Sequence, residues 1–215
     1  MQRAVHEIRN HLAVATANIE AFRDGVLAPT PERLNAVLQA LDEAAELIGE
    51  LRNVTRTASE PEMQTMNVCD VIANEVLALE CLAQQRGIVY SVAQCATTGE
   101  ACRSFHGDPL RIAEIVNNVV SNAIRYTPPG ARIDVDCHHA GGNLVLTVSD
   151  EGPGVAAEDR AQIFDAGYRG QASAGVSGSG LGLGLARRFA EAHGGTIDLV
   201  ESPTPGARFV VSLPA

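Results

Sequence analysis

The chain has no lysine. All sixteen of its basic residues are arginine, so a phosphate site here must be built from Arg, Asn, backbone N–H groups and metal. A Walker-type P-loop, which depends on its lysine, is excluded. There is no CxxC pair either. Cys69, Cys81, Cys95, Cys102 and Cys137 are scattered, and an odd, unpatterned set without an export signal reads as reduced packing residues. His138 and His139 stand together at a strand end, where neighbours point to opposite faces, which weighs against a shared metal. No uninterrupted apolar run is long enough to span a bilayer, and Met1–Asn10 has no signal-peptide core. The expected location is therefore cytoplasmic, as a whole protein or a cytoplasmic part of a larger one. Excess positive charge is also missing. A formal charge of −10 argues against nucleic acid or an anionic membrane as partner.

The composition, 46% apolar and 20% charged, is that of a soluble globular protein. Its length allows one good core or two small units, and the sequence changes rhythm in a way that favours two. Residues 1–57 read as helix throughout. Ile8, Leu12, Ala15, Ile19 and Phe22 step by three and four; Leu34, Val37, Leu41, Ala44, Ile48, Leu51 and Thr55 follow the same 3.5-residue period after turn signals at Asp24-Gly25 and Ala28–Pro31. That period marks helices of a supercoiled bundle. Thr30 is a suitable N-cap with Pro31 at the first helical position. A lone hairpin has too little core, so pairing with a second copy into a four-helix bundle is expected. Residues 58–66 (ASEPEMQTM) read as a linker. In residues 67–215 helices are expected at Cys69–Arg86 and Leu181–His193. Strands are expected at Ile88–Ala93, Ala101–Phe105, Arg132–His138, Asn143–Ser149, Thr196–Glu201 and Arg208–Leu213. This is an α+β pattern.

The most informative stretch is Arg111–Arg125, RIAEIVNNVVSNAIR. Ile112, Ile115, Val116, Val119 and Ala123 recur at helical spacing and want a core. Arg111, Glu114, Asn118, Asn122 and Arg125 form the opposite stripe. Asn competes for backbone hydrogen bonds and is a poor choice for a merely solvated helix face. Two amides and two guanidiniums on one stripe suit a metal ion and a polyphosphate, against the plainer reading of a polar face. Further on, Asp150-Glu151-Gly152-Pro153-Gly154 places a carboxylate at a strand end, followed by glycines that let a ligand approach the backbone; an Asx-type turn is the plainer alternative. Residues 167–184 hold seven glycines. Gly178, Gly180 and Gly182 alternate straight into a helix, whose N-terminus suits phosphate, and Asp165–Ser177 is expected to act as a loose lid.

Taken together, and in this order, NNVVSNAIRYTP, DEGPGV, IFDAGYRG and GSGLGLGLA resemble the N box, first glycine box, F box and second glycine box of the ATP-binding domain of sensor histidine kinases. That domain belongs to the wider family that includes gyrase, the Hsp90 chaperone and the MutL repair protein. The resemblance covers roughly residues 67–215 and implies an α+β sandwich that binds ATP and magnesium. By it Asn122 ligates magnesium, Asn118 lies beside the triphosphate, and Arg125 lies near the phosphates. Tyr126 packs on the adenine and Asp150 accepts from its amino group. Gly152, Gly154, Gly178, Gly180, Leu181 and Gly182 shape the pocket and lid, and Phe164 anchors the lid at its hinge side.

Upstream, HEIRN at His6–Asn10 resembles the phosphoacceptor box of the dimerisation-and-phosphotransfer hairpin of the same kinases. His6 and Asn10 lie one turn apart, off the Ile8/Leu12 seam. An exposed neutral imidazole is a competent nucleophile, and Glu7 is placed to hold one ring nitrogen and so orient the other. By the resemblance Asn10 positions water during dephosphorylation of the partner. The expected activity is an ATP-dependent protein-histidine kinase that autophosphorylates on His6 and passes the phosphoryl group to an aspartate of a response regulator receiver domain. It would work as a homodimer with input from an upstream sensor segment or a separate protein. His11 stands where the family box continues with proline, so the helix kink a proline causes is expected to be weaker or absent. Two other readings carry weight: a histidine phosphotransfer adaptor, and a phosphatase-biased member with weak kinase activity. A Ser/Thr kinase of the anti-sigma-factor type would share the ATP domain but has no use for HEIRN on a dimerising hairpin.

Overall fold

The computed structural model describes residues 2–58, 60–93, 100–170, 180–202 and 205–215. The chain divides into two compact units, the first running through Glu60 and the second starting at Pro61.

The first unit is a hairpin of α1 (Gln2–Arg23) and α2 (Pro31–Ala58). Helix α1 ends at a turn in which the Gly25 N–H donates to the Phe22 carbonyl. Thr30 then caps α2, its hydroxyl accepting from the Arg33 N–H at 3.5 Å. The helices meet along small side chains: Ala15, Val37 and Ala40 form a buried cluster with Phe22 packed on it. The bulkier members of the same stripe, Leu12, Ile19, Leu34, Leu41 and Ile48, remain 40–52% exposed; the side chains of Leu51 and Thr55 lie outside the described set. Helix α1 runs past His11 without interruption, because His11 keeps the backbone N–H that proline would remove. Its imidazole Nδ1 reaches Glu43 of α2 at 2.9 Å.

The second unit follows the order β1 (Gln64–Met66), α3 (Val68–Gln85), β2 (Val89–Ala93), α4 (Glu100–Arg103), β3 (Phe105–Gly107), α5 (Pro109–Tyr126), β4 (Arg132–Ala140), β5 (Asn143–Asp150), α6 (Gly182–Ala192), β6 (Thr196–Val200) and β7 (Arg208–Pro214). Five strands form one sheet in the order β2-β4-β5-β7-β6, with β2 and β4 parallel and the rest antiparallel. One face of the sheet carries the core. Ile133, Val135 and Cys137 of β4, Leu144, Leu146 and Val148 of β5, and Phe209, Val211 and Leu213 of β7 alternate inward as the pleat requires. They meet Ile72, Val76 and Leu79 of α3, Ile112, Ile115, Val116 and Val119 of α5, and Leu185 and Phe189 of α6.

Two segments differ from the sequence reading. Ala101–Phe105 is not a strand: Glu100–Arg103 is one helical turn, and the strand is Phe105–Gly107. The end of the stretch read as a linker pairs with it, Gln64 opposite Gly107 and Met66 opposite Phe105, in a separate two-stranded ribbon. A three-residue strand carries too little alternation to be seen without its partner, and Phe105, 1% exposed, is fixed by the core it enters. Among the described residues no helix is long and apolar enough to cross a membrane.

Candidate functional site

Helix α5 begins with Asp108 as N-cap, its carboxylate accepting from the Leu110 and Arg111 N–H groups, and with Pro109 in the first turn. Its apolar stripe is buried against the sheet and α3. That orientation turns Asn118, Asn122 and Tyr126, each one turn after the last, to a half-buried edge. The Asn118 amide donates to the Glu114 carbonyl at 2.8 Å. Asn122 makes no side-chain hydrogen bond to a described group. Arg125, half-buried, sits in the last turn, where a cation complements the helix dipole.

The C-terminal end of α5 meets the end of β5. Asp150 is 4% exposed, and its Oδ1 accepts from the Gly152 N–H at 2.9 Å and the Ala207 N–H at 3.2 Å. Burial pushes its carboxyl above the ordinary range, opposed by those two backbone hydrogen bonds. Oδ2 accepts from no described group, so one carboxylate oxygen remains for a donor. Gly152 closes this end. A Cβ there would stand 2.9 Å from both Asp150 Oδ1 and the Tyr126 carbonyl oxygen. A Cβ on Gly154 would meet the Gly206 carbonyl at 3.0 Å.

The middle of α5 meets the start of α6. A Cβ on Gly182 would lie 2.9 Å from Asn118 Oδ1. The first turn of α6, with unsatisfied N–H groups and a positive dipole end, is thus held against Asn118. No side chain caps it, and its N-cap Leu181 is half-buried against the core. Gly180 and Gly184 seat the same segment on Gly167–Arg169 and on the Phe164 carbonyl, respectively. Phe164 in turn stacks edge-on against Phe209, ring centroids 6.4 Å apart, with the Arg187 guanidinium 5.7 Å from its centroid.

The structure departs from the sequence reading at several residues. Arg111, placed on the phosphate stripe, faces the interior: 6% exposed, it pairs with Asp108 at 3.3 Å and lies over the Phe189 ring at 5.5 Å. Glu114 is 8% exposed and likewise buried. In the described part of the lid, residues 165–170, the Gly167 N–H donates to the Gly180 carbonyl, and the Tyr168 hydroxyl donates to buried Asp159 at 2.7 Å. Gly178, Cys95 and residues 171–177 lie outside the described residues. Sequence reasoning missed Gly206 and Ala207, which supply the second donor to Asp150; the Pro205-Gly206 turn dipeptide was the available signal. It also took the cysteines as scattered, whereas Cys69 and Cys102 lie side by side next to His139. In the hairpin, His6 and Asn10 are exposed and Glu7 is half-buried.

Half of the chain, residues 107–215, matches the family of histidine kinase-, DNA gyrase B-, and HSP90-like ATPases. The chain belongs to that family. The sensor protein SrrB of Staphylococcus aureus (strain N315) is similar to it, 28% identical over 217 residues that cover 97% of this chain and 36% of SrrB. The chain therefore spans about a third of the length of the curated relatives it matches. Among solved structures, the histidine kinase ThkA, crystallised in complex with the response regulator protein TrrA, shares the fold with a TM-score of 0.69 at 20% identity, covering 99% of this chain and 60% of that one. Full-length ShkA, crystallised in complex with AMPPNP, gives 0.67 at 22% identity, covering 99% of this chain and 45% of that one. A helical hairpin followed by the ATPase sheet is the architecture of a sensor histidine kinase catalytic core, and this chain has it.

Proposed function

We propose that this histidine kinase core binds MgATP along α5 and phosphorylates His6. One observation carries the reading. A single helix edge runs from Asp150, with one carboxylate oxygen unpartnered, past Tyr126, Asn122 and Asn118 to the uncapped N-terminus of α6. That is an acceptor for an exocyclic amine at one end and an anion-binding helix terminus at the other, with an apolar ring and two amides between. The missing side chains at Gly152 and Gly182 let the Asp150 turn and the start of α6 close on Tyr126 and Asn118 of α5. Asp150 Oδ2 accepts from the adenine amino group, Tyr126 covers the ring, and Gly180–Gly184 with Arg125 face the phosphates. Asn122, whose amide has no described partner, and Asn118 offer hard oxygen ligands of the kind magnesium takes. When bound, magnesium neutralises phosphate charge. Beyond that, the protein's work is positioning.

In the transfer, a ring nitrogen of His6 forms a bond to the γ-phosphorus as the bond to the bridging oxygen of ADP breaks, and ADP leaves. Glu7 orients the imidazole. A carboxylate oxygen of a response regulator's aspartate then attacks the phosphorus, an O–P bond forming as the N–P bond breaks, which leaves an aspartyl phosphate and returns His6 to its starting state. ThkA's crystallisation with TrrA and ShkA's with AMPPNP support the partner and the nucleotide. The exposed leucines and isoleucines of α1 and α2 support a homodimer that completes the bundle, located in the cytoplasm and taking its signal from a sensor region or separate protein.

The test is incubation with γ-labelled MgATP of the intact chain and His6→Gln. Acid-labile, base-stable label that disappears in the variant is the expected result; label that persists in it refutes His6 as the acceptor. One observation favours a second, phosphatase-leaning reading. His11 replaces proline in an unbroken α1 and is tied to Glu43. In that case the chain would shorten the lifetime of a phosphorylated regulator and take little label itself.

A further inference from the structure

Away from the nucleotide site, three side chains from three elements converge. Cys69 lies in the first turn of α3, Cys102 on α4 and His139 near the end of β4. Their ligand atoms all lie within 4.8 Å of one another, and the two Sγ atoms are 2.7 Å apart as thiols. Cys102 is 2% exposed; Cys69 and His139 are half-buried. His139 Nε2 is buried and has no hydrogen-bond partner. A buried ring nitrogen left without a partner is destabilising, and thiols are too weak as donors to relieve it.

We propose that Cys69, Cys102 and His139 form a binding site for a thiophilic divalent cation, zinc being the ion whose chemistry fits. Two thiolates and an imidazole nitrogen are a donor set zinc prefers. In a tetrahedral site, Zn–S bonds of about 2.3 Å put the two sulfurs roughly 3.7 Å apart, so the Sγ atoms, 2.7 Å apart without metal, separate by about 1 Å on binding while all three donors stay within the 4.8 Å cluster. Binding releases one proton from each thiol, and His139 binds as the neutral ring through Nε2. The site then carries two positive charges against two negative ones and is electrically neutral. Cys69 is at the positive end of the α3 dipole, which favours a thiolate there. Because Cys69 and His139 are only half-buried, a water would be the fourth ligand. Along β4, Ile133 pairs with Asp150 while His139 is six residues further on and pairs with Leu144. At about 3.3 Å per residue the cluster lies on the order of 20 Å from Asp150. It is therefore a tether that joins α3, α4 and the sheet, separate from the nucleotide chemistry.

The experiment uses the full chain, purified reduced, loaded with zinc and desalted, with metal content measured by mass spectrometry. A competing chromophoric chelator then gives the affinity of the unaltered protein. Expected are one zinc per chain and its loss in Cys102→Ser and His139→Gln, with Cys81→Ser, an exposed cysteine outside the cluster, unchanged. AMPPNP affinity stays within about twofold throughout, so failure here is distinct from failure of the MgATP reading. Three results overturn the proposal: no zinc bound by the unaltered chain, zinc retained by both variants, or a Cys69–Cys102 disulfide recovered by non-reducing peptide mapping in place of a metal. Because the chelator titration needs no substitution, misfolded variants would not shelter it.

Discussion

Asp150→Asn separates the binding role of this carboxylate from its cost to the fold. Asn has the same shape, and its Oδ1 can keep both backbone bonds, from Gly152 at 2.9 Å and Ala207 at 3.2 Å. Only the second position changes: an unpartnered anionic oxygen becomes an NH2 group facing the donor it is meant to receive. A hydrogen bond to a charged group contributes about 1.5–3 kcal/mol. At about 1.4 kcal/mol per tenfold, nucleotide affinity should fall roughly 10- to 150-fold. Stability should move the other way. Burial raises the Asp150 carboxyl above its ordinary value, so folding takes up protons, and stability from this group is greatest at low pH and declines as pH rises through the raised value. Asn removes that penalty, and the variant should melt no lower than the parent at neutral pH.

Calorimetric titration with MgAMPPNP and a melting curve on the same sample measure both. For the parent, affinity should also weaken as pH falls toward the raised carboxyl value, a dependence the variant lacks. Wild-type affinity in Asp150→Asn would refute the assignment of Oδ2 to the base. Lost affinity together with lost stability would show instead that the charge serves the local fold.

Gly182→Ala should weaken AMPPNP binding at least about tenfold with little change in melting temperature, since its Cβ would press on Asn118 Oδ1 and the helix terminus must shift; an unchanged Kd would remove Asn118 and α6 from the phosphate site. Gly206→Ala should be a stability variant. Its φ is +129° and its Cβ would overlap the Asp150 carbonyl oxygen, so a loss of about 3 kcal/mol or more is expected, seen as a fall of about 6–12 °C in Tm. Arg111→Met should lower stability by about 3–5 kcal/mol by leaving buried Asp108 without its ion pair, while the folded protein binds AMPPNP normally; a selective loss of binding would return Arg111 to the phosphate face.

The sequence made the helix edge legible because Asn118, Asn122 and Tyr126 share one period with nothing to contradict it, and Asp150 legible because it ends an alternating strand. Arg111 obeys the same period and was misread. Position along the helix decides its fate: at the N-terminal end α6 lies over α5, Phe189 offers its ring, and the N-cap carboxylate of Asp108 is within reach. Periodicity reports which face a residue is on but not what covers that face at each end. The Asp108 corner is completed from 85 residues away, where His193 Nε2 accepts from the Asp108 N–H and the ring's Nδ1–H donates to the Phe189 carbonyl. The cluster of Cys69, Cys102 and His139 was invisible for the same reason. Its members are 33 and 37 residues apart, on elements brought together only by the β2–β4 crossover and the short helical turn that the sequence reading took for a strand.

The glycines admit a sharper reading than flexibility. Gly152 stands where a Cβ would touch Asp150 Oδ1, Gly182 where it would touch Asn118 Oδ1, and Gly184 where it would touch the Phe164 carbonyl at 2.8 Å. In each case the missing side chain lets a helix or turn close on a group that the site depends on. A glycine kept for mobility would have open space around it, as Gly130 and Gly141 do. The close-packed glycines serve fit: they let the α6 terminus and the Asp150 turn approach α5 to within contact, which fixes the spacing between Asp150 and the start of α6. Alanine at a glycine of this kind should therefore raise the nucleotide Kd in proportion to the tightness of the contact it creates, and the rise should be seen under conditions where the variant is fully folded.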